Sequence, residues 1–309
     1  MILNTGSRTD IPAFYSEWFI NRLKAGYVLV RNPYYPKMIH KYLLSPDVID
    51  CIVFCTKNPA PMLEKMDELK KYRTFWFVTI TPYGRAVEPN VPDKHEVMES
   101  FKKLSQVSGR KRTAWRYDPV FISGAYDIAY HKRAFEKIAC TLSGYTEMCV
   151  ISFIDLYEKT KKNFPGIREV TQEEMEELAV YFKEVCDRYG MTLRTCHEDH
   201  GLAKYGIDIS GCMTKEVLEN AADITLKVPS HSLAREGCTC LLGSDIGAYN
   251  TCAHGCRYCY ANDDMKLVYD NMKKHDPESP ILTGYPAEDD VITEAVQKSW
   301  LERRITLDL

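Results

Sequence analysis

Nowhere does the chain offer the ~18 uninterrupted apolar residues that a membrane-spanning helix needs, so a transmembrane protein is not expected. The first residues, MILNTGSRTDIP, lack a basic stretch followed by a long apolar run, which speaks against a secretory leader. Excess charge is missing too. The formal net charge is -3, without the global basic field of a dedicated nucleic-acid binder. One basic run, GRKRTAWR at 109–116, reads as a solvated loop entering a strand. There is no internal repeat and no low-complexity tract, which excludes solenoids and compositional linkers. The expectation is a soluble cytoplasmic protein with no membrane partner, and its charge counts against nucleic acid as a partner.

Cysteine, by contrast, is plentiful. In a reducing compartment the twelve cysteines do not imply a disulfide framework; clustered ones point to metal binding or redox chemistry. The chain has 309 residues, 45% of them hydrophobic and 27% charged, enough for a substantial core in one large domain or two small ones.

Six apolar runs share a grammar. ILNT leads into GSRTDIP, CIVFC into TKNPAP, FWFVTI into TPYG, TAW into RYDPV, MCVISF into IDLYE, and TLRT into CHEDHG. Each is a strand-like stretch ending in a polar tip, with amphipathic segments between most of them. The clearest predicted helix spans 171–190. There Thr171 and Glu174 make a capping-box pattern, Met175, Leu178, Phe182, Val185 and Tyr189 share a face, and Gly190 supplies the stop. Residues 61–72, 94–109 and 131–144 read similarly, and 27–45 reads as an extra hairpin. His131 reads as a helix N-terminal residue. Strands alternating with helices predict an α/β fold with a parallel sheet, namely a complete or partial (β/α) TIM-like barrel. The barrel units occupy 1–229, and a Cys-rich segment over 230–309 completes the same domain. In a barrel the polar tips converge on one mouth although they are scattered in sequence.

Residues 250–263, NTCAHGCRYCYAND, carry the strongest chemical signal. Cys252, Cys256 and Cys259 are spaced C-x3-C-x2-C, and thiolates so close together can ligate one metal centre such as a 4Fe–4S cluster. Three ligands leave one iron of a cube without a protein donor, and an open metal position is where a substrate or cofactor binds. The alternative is a structural zinc knuckle, with His254 or a distant cysteine as fourth ligand. His254, inside the C-x3-C interval, is awkwardly placed to share a tetrahedral ion with both neighbours.

A second set comprises Cys196, Cys212, Cys238 and Cys240, all in loop-like surroundings. They can form an auxiliary iron–sulfur cluster or a structural zinc site, or be unrelated free thiols. Cys51, Cys55, Cys140, Cys149 and Cys186 read as small core hydrophobes on strands and apolar helix faces. Glu198, with His197, Asp199 and His200 in CHEDHG, offers ligands for a divalent metal, although neighbours along a strand point oppositely.

The spacing of Cys252, Cys256 and Cys259, with the aromatic Tyr258 before the third, resembles the signature of the radical S-adenosylmethionine (SAM) enzymes. The resemblance implies a 4Fe–4S cluster whose unique iron binds the amino and carboxylate groups of SAM. It also implies an external one-electron donor such as flavodoxin or ferredoxin, and a 5′-deoxyadenosyl radical acting on an unknown substrate. Radical SAM enzymes carry this motif after the first barrel strand, whereas here it lies near the C-terminus. A circular permutation reconciles the two, making the last segment strand one. Asp10, with Thr9, then follows strand two, where the family contacts the SAM amine. Lys57 or Arg116 would hold the carboxylate, and Tyr258 would lie by the adenine. Thr79, Thr81 and Asp118 would serve ribose or substrate, and Glu198, on the same face as Cys196, would be an acid or base at the substrate. The bland alternative for the tips is mutual pairing, Arg8 with Asp10 and Arg116 with Asp118.

SRTDIPAFY, TKNP, WRYDP and DIGAYNTCAHGCRYCYAN further resemble the domain of unknown function 1848 family over nearly the whole chain. Two rival readings remain at this point: a divalent-metal barrel hydrolase centred on CHEDHG with structural Cys–metal sites, and a metal-stapled interaction module using GRKRTAWR.

Overall fold

Each of the six apolar runs forms a strand. The structure, a computed structural model, describes residues 1–196, 198, 200–229, 239–241 and 243–302, with the side chain of residue 200 outside that description. In chain order the strands are β1 (Ile2–Asn4), β2 (Tyr27–Arg31), β3 (Met38–Leu43), β4 (Cys51–Thr56) and β5 (Thr74–Thr79). They continue with β6 (Thr113–Val120), β7 (Met148–Phe153), β8 (Thr192–Thr195), β9 (Ser244–Asp245) and β10 (Val291–Glu294).

Seven of these make an α/β fold's parallel sheet in the order β8-β7-β6-β5-β4-β1-β9, with every neighbouring pair parallel. The pairing of β9 with β1 matches Leu3 to Ser244 and Asn4 to Asp245, so the end of the chain joins the strand that begins it. The hairpin foreseen over 27–45 is present as antiparallel β2 and β3, and β10 extends it in parallel. That strand and the helix Met265–Lys273 were not foreseen.

The period-two geometry of a strand splits each run between two cores. Ile52, Phe54, Trp76, Val78, Trp115 and Ile151 enter the larger one, under the helices; there Trp76 stacks on Phe54 at 3.9 Å and Phe135 on Phe182 at 4.0 Å. Cys51, Val53, Phe75, Phe77 and Val150 face the other way, where Cys212, Met213, Leu218, Cys240 and Leu241 cover them.

Helix Gln172–Arg188 keeps the predicted capping box of Thr171 and Glu174. Lys94–Ser108 forms as expected, and Ile128–Leu142 starts three residues early because Asp127 caps it through the Tyr130 N–H. Residues 61–72 differ: they form two short pieces, Ala60–Leu63 and the tighter turn Met66–Leu69. Neither has a side-chain cap, and each buries one residue, Met62 or Leu69, too little to sustain one helix. One cysteine corrects the core reading. Cys140 is exposed on the outer face of its helix, while Cys51, Cys149 and Cys186 are buried and the partly exposed Cys55, near the end of β4, packs against the second core. Among the described residues no helix is long and apolar enough to cross a membrane.

Because Phe135 is fully buried against Phe182, Phe135→Ala is expected to cost about 3–5 kcal/mol in urea unfolding. Thr171→Ala, losing a cap alone, should cost about 1 kcal/mol. Equal losses for the two variants would contradict this picture of the core.

Candidate functional site

The thiol loop is fastened over the C-terminal ends of β1, β4 and β5. Its neck closes where Asn250 Nδ2 donates to Asp263 Oδ2 at 2.8 Å, with Asn250 itself at φ 58°. Thr251 Oγ1 then donates to Thr9 Oγ1 at 2.7 Å, and the Tyr15 hydroxyl donates to the Thr251 carbonyl at 2.6 Å. His254 Nε2 meets Asp10 Oδ2 at 2.8 Å. Asn90 holds the loop twice, its side chain donating to the Ala253 carbonyl at 2.8 Å and its backbone N–H to the His254 carbonyl at 3.1 Å. The Arg257 N–H donates to the Val87 carbonyl at 3.0 Å, and the Tyr260 hydroxyl to the Ser7 carbonyl at 2.6 Å.

Within this frame Cys252, Cys256 and Cys259 are partly exposed. As free thiols they resist ionisation: burial pushes Cys256 up to about 12 although the Lys57 ammonium opposes it, and burial with nearby Asp10 holds Cys252 high. Metal binding must therefore displace their protons. The surroundings suit that exchange. The Ala261 N–H points at Cys259 Sγ at 3.3 Å, a donor that favours thiolate over thiol. His254 Nδ1 and Asn262 Oδ1 are buried beside the loop without a protein partner.

Glu88 is the residue that the sequence reading missed. Its carboxylate accepts from Lys57 Nζ at 2.8 Å, Thr81 Oγ1 at 2.7 Å, Lys94 Nζ and the Tyr258 hydroxyl. Burial opposes its ionisation, but the two ammonium groups more than offset that and hold it at about 2. TPYGRAVEPN reads as an ordinary loop, so nothing local announced a buried charge.

Asp10 is engaged three times over, in ways a lone strand tip does not predict. Oδ1 caps the turn Ile11–Phe14 through the Ala13 N–H, while Oδ2 accepts from the Lys57 N–H and His254. The Arg8–Asp10 pair is not formed; Arg8 Nε donates to Asp245 Oδ1 at 2.9 Å instead. Thr79 is buried at the end of β5.

Arg116, Asp118 and Glu198 form a second group. Here the expected pair exists: Arg116 Nε donates to Asp118 Oδ2 at 2.9 Å, and Ser152 Oγ donates to Asp118 Oδ1. Burial resists ionisation of Asp118, and the Arg116 guanidinium overcomes it. Glu198 Oε1 accepts from the Phe153 N–H at 2.7 Å, yet burial, with Asp118 and Asp155 nearby, lifts its carboxyl to about 8. Cys196, Cys212 and Cys240 gather beside Arg116, with Cys212 Sγ 3.8 Å from Cys196 Sγ and 3.7 Å from Cys240 Sγ. Cys55 lies between the two groups, within electrostatic reach of Asp10, Lys57, Arg116 and Asp118. Cys238, His197 and Asp199 lie outside the described residues, as does the side chain of His200, which leaves Glu198 as the described part of the CHEDHG metal reading.

His131 is buried, its ring bonded to the Tyr117 hydroxyl at 2.8 Å and the Phe121 carbonyl at 2.9 Å, away from both groups. GRKRTAWR enters β6 at the opposite end from the tips, where Arg112 Nε donates to the Ala221 carbonyl at 3.0 Å.

The chain belongs to the family described as a domain of unknown function, DUF1848, which matches residues 2–261 and so includes all three loop thiols. No curated protein matches the chain.

The low carboxyl of Glu88 sets a pH signature. Its stabilising charge is fully present above about 4.5 and is lost as pH falls toward about 2. Glu88→Gln, which leaves two ammonium groups without their counter-ion, should cost about 3–5 kcal/mol near neutrality. In urea titrations the gap to wild type should stay constant above that upper pH and narrow below it. A gap that does not depend on pH would show that Glu88 carries no charge in the folded chain.

Proposed function

We propose that this member of the DUF1848 family is a radical SAM enzyme, with a 4Fe–4S cluster on Cys252, Cys256 and Cys259. S-adenosylmethionine and an unidentified substrate would lie among the strand tips. One observation carries the reading: three closely spaced, partly exposed thiols sit on a loop clamped over the ends of parallel strands, facing a dense set of charged groups. When bound, the cluster would supply the one-electron reduction, drawn from a donor such as flavodoxin or ferredoxin, that generates a 5′-deoxyadenosyl radical from the cofactor for hydrogen abstraction.

The strand order supports the permuted barrel. If the chain is taken to start before β9, the sheet runs β9, β1, β4, β5, β6, β7, β8 in sequence, and the thiol loop follows its first strand. That is the order of a (β/α) barrel, complete or partial, whose break has moved.

The chain's own residues would divide the work. Asp10 uses about three of the four acceptor sites of a carboxylate and keeps one on Oδ1 for an incoming amine, beside Thr9. Of the two candidate cations, Lys57 lies with the thiol loop, 5.5 Å from the Tyr258 ring centroid, and retains ammonium donors beyond its bond to Glu88. Arg116 is committed to Asp118 and Cys212, so Lys57 is the better carboxylate holder. Glu88 fixes both Lys57 and the Tyr258 hydroxyl, and so orients the ring assigned to the adenine. On the substrate side, an ionised Asp118 and a neutral Glu198 give an acceptor and a proton donor at the same pH.

Anaerobically reconstituted protein is expected to hold about four irons at the loop. With dithionite and SAM it should release 5′-deoxyadenosine, and Cys256→Ala should abolish both. Protein that takes up zinc tightly at this loop and never cleaves SAM would sink the proposal.

A further inference from the structure

Three sulfurs lie together on the covered face of the sheet, away from the C-x3-C-x2-C loop. Cys196 follows β8, while Cys212 and Cys240 come from the segments that pack across β1, β4 and β5. Their separations of 3.8 and 3.7 Å, centred on Cys212, are far too long for a disulfide at about 2.05 Å. They match the edge of a tetrahedron of thiolates around one ion, which for a zinc–sulfur bond near 2.3 Å is about 3.8 Å. A 4Fe–4S cube binds each cysteine through a different iron and holds its ligand sulfurs much farther apart.

Simple contact between two thiols would give a similar spacing, but the surroundings of this trio are those of anions. Arg116 Nη1 points at Cys212 Sγ at 3.5 Å, and the Met213 N–H points at Cys240 Sγ at 3.2 Å. Gly211, at φ 116°, leaves the space that Cys240 Sγ fills; a Cβ there would lie 2.8 Å from it. Donors aimed at neutral thiols do little, whereas the same donors around thiolates stabilise a metal site. Among the described residues no three such side chains are placed to hold an ion as they stand, and Cys212 meets the outer two sulfurs only pairwise. An ion would draw them onto one centre.

We propose that Cys196, Cys212 and Cys240 bind a single soft divalent ion, zinc by its chemistry, at a mononuclear thiolate site separate from the iron–sulfur loop. The ion pins the segments carrying Cys212 and Cys240 to the end of β8, and with them the position of Arg116.

The test uses full-length reduced protein in which Cys252, Cys256 and Cys259 are all alanine, so that loss of the iron–sulfur loop does not affect the result. Titrated with zinc under argon, it should bind about one equivalent. Cobalt(II) in its place should give the intense absorption of a tetrahedral thiolate complex, and Cys212→Ser should abolish that signal. The same cobalt titration on the otherwise unaltered chain carrying Cys212→Ser guards against misfolding of the triple variant. Undiminished cobalt–thiolate absorption in the Cys212→Ser chain, no zinc uptake, or iron with acid-labile sulfide in the triple variant would each overturn the proposal.

Discussion

Two residue pairs, Leu3 with Ser244 and Asn4 with Asp245, carry the constraint on which the candidate site depends. By adding β9 to the edge of β1, they bring the thiol loop onto tips that lie from 163 to 244 residues earlier in the chain. The fit is tight. Gly243 passes so close to Ile2 that a Cβ would lie 1.6 Å from its carbonyl oxygen, so only glycine lets the strand in. Asp245 then takes both the Ser7 N–H at 2.8 Å and the Arg8 side chain, turning a two-residue strand into an anchored one. Every contact from Thr251 to Tyr260 described above follows from that docking.

Once docked, the loop covers charges that water would otherwise solvate, and the chain answers with internal partners. Glu88 remains an anion under burial because two lysines, a threonine and a tyrosine converge on it. Asp118 does so through Arg116 and Ser152. Among the described residues Glu198 has one backbone donor and no cation, so burial wins and it stays protonated to about 8. One rim thus holds carboxyl groups of opposite protonation state at the same pH, the condition for dividing acceptor and donor roles. Fixed, desolvated dipoles of this kind suit chemistry from which water must be kept.

The strands were legible because alternation survives burial on both faces, and helix Gln172–Arg188 because its cap is written in two side chains. The clustering of the loop thiols was also legible, since their spacing is local. Glu88 was not legible. A buried glutamate differs from an exposed one only by what surrounds it, and apart from Thr81 in its own loop its partners come from the end of β4, the start of the next helix and the thiol loop. Cys140 failed for a related reason. Strand and helix periodicity says which residues share a face, but not how far along the element cover extends.

The sequence alone determined the clustering of the loop thiols, a parallel α/β architecture and the residue types available at the strand tips. Each of these rests on local propensity or on side-chain periodicity. Tertiary structure decided which tips meet. Asp10 turned from Arg8 to His254, and the scattered cysteines sorted into a loop trio and a second trio around Cys212. Those choices belong to strand order and long-range packing, where contacts separated by most of the chain's length compete on geometry and desolvation that no short stretch of residues records.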